Sequence, residues 1–106
     1  MFALLQQVCQ PFATRLSDDE IIEQLPQLKG WSVENNHLCK PFTFKTHAKL
    51  MLFLQAVAWI AEQQNHHPAV EYVYNRCVVR LSTHDSNGIS RNDIICAAKI
   101  DFLMLL

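Results

Sequence analysis

The sequence predicts an α+β domain: a four-stranded antiparallel sheet with three helices on one face, in the order α-β-β-α-β-β-α. Three observations predict it. Residues 31–45 and 70–83 each read as a pair of strands meeting at a polar turn, and residues 48–61 form an apolar run much too long for a strand. Capping residues at Ser17, Thr46 and Ser90 then place three helix starts around the strands. With 106 residues, half of them apolar and 18% charged, the chain suffices for one core and not for two. Residues 1–106 are therefore read as a single domain, with 1–15 as an N-terminal arm, either an interface or a disordered segment.

The first helix begins at the capping box Ser17–Glu20, where Leu16 and Ile21 have the spacing of a hydrophobic staple. Pro26 disturbs it and Gly30 ends it. In "WSVENNHLCKPFTFK", Trp31 and Val33 precede a turn near Glu34–Asn36, and Phe42 and Phe44 alternate with polar residues beyond it. Pro41 predicts that this second strand is an edge strand or begins only after the proline. The second helix follows Thr46; from Ala48 to Ala61 only Lys49 and Gln55 are polar, so a second copy of the chain is the expected cover for its free face. "VEYVYNRCVVRLST" reads as two strands turning near Asn75. In the latter, Cys77, Val79 and Leu81 share one face and Arg80, Ser82 and His84 the other, if the strand stays regular that far. The last helix starts at Ser90, with Asp93 three residues on.

A formal net charge of −1 denies the chain the basic excess that direct nucleic-acid or anionic-membrane binding would use. No segment has the apolar length of a membrane span and the N-terminus lacks the pattern of a secretory signal, so a cytoplasmic protein is expected. Cys9, Cys39, Cys77 and Cys96 form no C-x-x-C pair and read as reduced thiols.

The candidate chemistry lies in "EQQNHHP", residues 62–68. Pro68 pushes His67 out of the helical region. Successive helical side chains diverge by about 100°, so ending the helix between His66 and His67 would let both imidazoles approach one region. Glu62 stands four residues before His66 and so faces the same side of the helix, placed to set its basicity or tautomer. His84 and Asp93, taken alone, read as a turn residue and a helix cap.

Together these residues have a recognisable spacing: Glu62, three residues, His66-His67-Pro68, five residues, Tyr74, nine residues, His84, eight residues, Asp93. With "NHHP", "VYN", "LSTHD" and "GISRNDI", the chain resembles the pterin-4a-carbinolamine dehydratases from Leu16 to about Asp101. The resemblance implies the same α+β fold and dehydration of a 4a-hydroxytetrahydropterin to a quinonoid dihydropterin, as in tetrahydrobiopterin recycling. It implies His66, His67 and His84 as catalytic residues, Glu62 and Asp93 as supporting ones, and Pro68, Val70, Tyr74, Ser82, Thr83 and Asp85 as substrate contacts. Many members carry tryptophan where this chain has Val70, so an aromatic wall is missing or comes from Tyr72 or Tyr74.

Imidazole suits a reaction that gives a proton to a leaving hydroxyl and takes one from a ring nitrogen, because its ordinary pKa of about 6.5 lets acid and base forms coexist. The working assignment is that His66 and His84 exchange protons, His67 orients the pterin, Glu62 positions His66, and Asp93 both caps its helix and organises the loop 84–90. No cofactor is expected. Zinc is the competing reading, but adjacent histidines fit a tetrahedral site poorly and no cysteine has ligand spacing. The expected partners are the pterin and further copies of the chain, as a homodimer or homotetramer built through helix 46–65. Some family members serve as dimerisation cofactors of a homeodomain transcription factor, which leaves open a non-enzymatic coactivator role on the helical face and a nuclear location.

Overall fold

Asn35 and Asn36 both adopt left-handed backbone, with φ of 49° and 62°, which asparagine tolerates better than most residues. They close a hairpin between β1 (Ser32–Glu34) and β2 (His37–Thr43) in the computed structural model, which describes residues 2–106. A second tight turn, with Tyr74 at φ 56°, joins β3 (Ala69–Val73) to β4 (Arg76–Leu81). The four strands form one antiparallel sheet in the order β1-β2-β4-β3.

Pairing of β2 with β4 runs from Leu38 opposite Leu81 to Thr43 opposite Arg76. β2 is therefore an inner strand that starts before Pro41, which corrects the expectation of an edge strand or a later start. The physical reason is local: β1 stops opposite Cys39, so at Pro41 the strand has only β4 beside it, and the missing amide interrupts no ladder on the other side.

Leu38 and Phe42 share the buried face with Cys77, Val79 and Leu81, as the alternation predicts. Lys40 lies in the same row, and its Nζ leaves the apolar layer to bond Asp101 Oδ1 at 2.8 Å and the Lys29 carbonyl at 2.9 Å. Trp31 Nε1 donates to the same carboxylate at 3.0 Å.

Among the described residues there are four α-helices rather than three: α1 (Phe2–Leu5), α2 (Asp18–Gln24), α3 (His47–Gln64) and α4 (Arg91–Leu103). Ser17 and Glu20 form the expected capping box of α2, which tightens into a 3-10 turn at Leu25–Gln27 around Pro26. Thr46 caps α3 by accepting from the Lys49 amide. The additional helix belongs to the N-terminal arm, which is docked rather than disordered: Leu4 is buried, the Cys9 amide donates to Gln64 Oε1 at 2.8 Å, and Gln10 exchanges two hydrogen bonds with the Asn92 side chain. With α3, the sheet and the arm around it, α4 buries an unbroken run from Asn92 to Ala98. That arrangement puts the start of α4 at the centre of the candidate site.

Candidate active site

The site is built where the loop after α3 and the loop after β4 meet the N-terminus of α4. α3 ends on Asn65, whose left-handed φ of 50° is the turn asparagine favours after a helix. Both histidines thus lie beyond the helix, not one on each side of its end, and their rings diverge. His66 turns inward and its Nε2 donates to Asp93 Oδ1 at 2.5 Å. His67 turns outward and its Nε2 pairs with Glu62 Oε1 at 2.8 Å, with both side chains largely exposed. The expected Glu62–His66 pair is therefore replaced by Glu62–His67, because the four-residue rule needs helical backbone at both positions and His66 has left it.

Asp93 is fully buried and holds three partners. Its Oδ2 accepts from the Ser90 amide at 2.9 Å and from Thr83 Oγ1 at 2.8 Å, while its Oδ1 accepts from His66. The Thr83 and Ser90 hydroxyls also bond each other at 2.6 Å. One carboxylate therefore caps α4, ties down both ends of the loop 84–89 and orients an imidazole. The hydrogen bond to Asp93 raises His66 above its ordinary pKa, against the opposing effect of burial.

β4 ends at Leu81, earlier than a strand reaching His84 would. Thr83 pairs with Gly88, and His84 opens a 3-10 turn, His84–Ser86, that closes on left-handed Asn87. His84 is exposed and lines a small cleft with Ser82, Thr83 and His37, while Asp85 is exposed on the same turn. On the other side, His67, Pro68, Val70 and Tyr72 line a groove of about 280 Å³ against Leu54 and Ala58 of α3. Val70 stands in that wall beside Tyr72, which supplies an aromatic ring to it. Tyr74 lies in the β3–β4 turn at the opposite end of the hairpin, about 15 Å along the strand from Ala69, so a single chain does not bring it to the histidines.

The sequence reading missed the N-terminal arm as a neighbour of the site. Cys9 Sγ lies 3.6 Å from Cys96 Sγ. That contact draws the Cys9 thiol below its ordinary range, with the nearby His66 adding to the pull against burial. No local pattern could signal a contact across so many residues. Asn65, by contrast, was a readable signal, a left-handed cap directly before the histidines. Among the described residues no group of three or more histidine, cysteine, aspartate or glutamate side chains is placed to hold a metal ion, and no helix is long and apolar enough to cross a membrane.

A family model described as pterin 4 alpha carbinolamine dehydratase matches residues 14–103. A protein of Bdellovibrio bacteriovorus, provisionally named a pterin-4-alpha-carbinolamine dehydratase, is 44% identical over 104 residues, covering 94% of this chain and 87% of its own. One of Legionella pneumophila (strain Corby), with the same provisional name, is 45% identical over 100 residues, covering 92% and 88%. A crystal structure from Brucella melitensis titled transcriptional coactivator/pterin dehydratase superposes with a TM-score of 0.82 at 34% identity, covering 85% of this chain and 98% of that one. A pterin dehydratase-like protein described as a RuBisCO assembly factor in the alpha-carboxysome shares the fold alone, with a TM-score of 0.58 at 23% identity, covering 69% of this chain and 84% of that one.

Proposed function

The chain belongs to the pterin-4-alpha-carbinolamine dehydratase family, and we propose that it is a hydro-lyase that removes water from a 4a-hydroxytetrahydropterin, in the cytosol, as a step of tetrahydrobiopterin recycling. The observation that carries this reading is the buried Asp93 holding His66 at 2.5 Å, with Thr83 and Ser90 on its other oxygen. A carboxylate so placed favours the imidazolium form, and His66 is correspondingly raised.

In the proposed reaction His66 is the acid. Its Nε2 is engaged by Asp93, so Nδ1 is the nitrogen left to protonate the departing 4a-hydroxyl. His84, exposed on its turn, is the base that accepts the N5 proton. The C4a–O bond breaks, its electrons leave with oxygen as water, and the N5 electrons form the C4a–N5 double bond. His67, steadied by Glu62, stands over the apolar groove of Pro68 and Val70 and orients the pterin face. Two imidazoles supply both proton transfers, so the step as proposed calls for no cofactor.

The test is a stopped-flow assay in which an aromatic amino-acid hydroxylase generates the 4a-hydroxytetrahydropterin and its dehydration is followed spectrally. Wild type accelerates the step; His66→Ala and His84→Ala each lower kcat by about 10²-fold or more, the range of a lost acid or base. Full activity in His66→Ala would reject this division of labour. A folded wild type with no acceleration would favour the second reading, a partner-binding coactivator, whose supporting observation is the exposed Leu52 and Trp59 on α3.

A further inference from the structure

We infer that His37 and His84 together form the wall that receives the C6 substituent of the pterin, and that this wall selects a hydroxylated side chain over an alkyl one. The inference rests on the dehydratase reading and adds a specificity residue to it. His37 opens β2 directly after the Asn35–Asn36 turn. Its Nδ1 lies 2.7 Å from the Asn35 carbonyl, which can only accept, so Nδ1 is the donor there and in the neutral ring Nε2 is the acceptor.

The ring lines a cleft of about 190 Å³ with His84, Ser82, Asn36 and Asn87. Among the described residues no aliphatic side chain lines this cleft, whereas the groove beside His67 is lined chiefly by Leu54, Val57, Pro68 and Val70. The two sides of the site thus differ in character. Thr83, also in the cleft, donates to the carboxylate that holds His66, so a chain of hydrogen bonds links the polar cleft to the proposed acid.

Substrate chemistry then orients the ligand. The reaction occurs at C4a and N5, and C6 is bonded to N5. The first atom of the C6 substituent is two bonds from N5, so the cleft around His84, the base that reaches the N5 proton, faces that substituent. Hydroxyls on it donate to His37 Nε2 and accept from the Asn36 amide and the Ser82 hydroxyl. A methyl group in the same place desolvates those groups and pairs none of them.

The experiment compares two substrates, the 4a-hydroxy adducts of tetrahydrobiopterin, with its dihydroxypropyl chain, and of 6-methyltetrahydropterin, on wild type, His37→Ala and His37→Gln. The expected result is a preference of about tenfold in kcat/KM for the hydroxylated substrate in wild type, the size of one or two hydrogen bonds. In His37→Ala that preference falls about fivefold, through a higher KM for the hydroxylated substrate; His37→Gln, which keeps a hydrogen-bonding group, regains part of it. An equal loss on both substrates, or an unchanged preference in His37→Ala, overturns the role of His37 and leaves the dehydratase reading standing. Wild type inactive on both substrates overturns that reading and this inference with it.

Discussion

At the scale of single residues, Asp93 is the position where structure and chemistry meet, and its replacement by asparagine separates them. Aspartate accepts from three donors, Ser90 N, Thr83 Oγ1 and His66 Nε2. An asparagine whose oxygen keeps the Ser90 amide presents its NH2 to His66, so a donor meets a donor and the imidazole loses what holds it above its ordinary pKa. Because His66 is raised in the folded state, its pairing with Asp93 contributes stability in full below about pH 6.5. That contribution is lost as pH rises through the raised value. In Asp93→Asn, urea unfolding followed across this window will show the His66-linked pH dependence flattened and stability lower by about 1–3 kcal/mol, the cost of a buried group left unpaired. The acid-to-base limb of the rate profile that belongs to His66 will move to lower pH in the same variant; an unmoved limb leaves Asp93 as a helix cap only. The dual role of Asp93, cap of its helix and organiser of the loop 84–90, was readable from "SRND" and the family spacing; that the same carboxylate bonds His66 and Thr83 was not, because both reach it from outside the local pattern.

At the scale of elements, the end of α3 decides where the histidines point. Asn65 holds φ at 50°, a region that costs an ordinary L residue about 1–2 kcal/mol. Asn65→Gly will leave thermal stability and turnover nearly unchanged, whereas Asn65→Val, β-branched in a left-handed turn, will lose about 2 kcal/mol or more in denaturation. Its loss of kcat should exceed the loss in folded fraction, since His66 and His67 swing with the cap. Equal stability of the glycine and valine variants would show that the turn is not what places the histidines. Helix starts at Ser17, Thr46 and Ser90 were legible because capping is a local chemistry. The reach of β4 toward His84 and the place of Pro41 were not, because each depends on where a neighbouring strand stops.

At the scale of the whole molecule, hydrophobic patterning showed that the middle helix carries more apolar surface than one sheet can cover, but not that the N-terminal arm covers a different helix. The arm reaches α4 through contacts such as Gln10 with Asn92, which no periodicity encodes. α3 keeps its surplus: Leu52 and Trp59, two turns apart on one side, remain 67% and 65% exposed. Surface of that kind on a helix this long fits packing against the same helix of another copy, which buries both rows at once. The double variant Leu52→Glu/Trp59→Glu places charges where a second helix would lie and touches none of the buried core positions Leu50, Phe53 and Val57, so the chain should still fold. Light scattering after gel filtration will give a mass of two or four chains for the native protein and one chain for the variant. The Asp93 network is supplied within one chain, so that monomer should keep the His66-linked pH dependence of stability. If the variant instead keeps the native mass, α3 is free in the oligomer, and its apolar row becomes the surface on which to seek the partner of a coactivator.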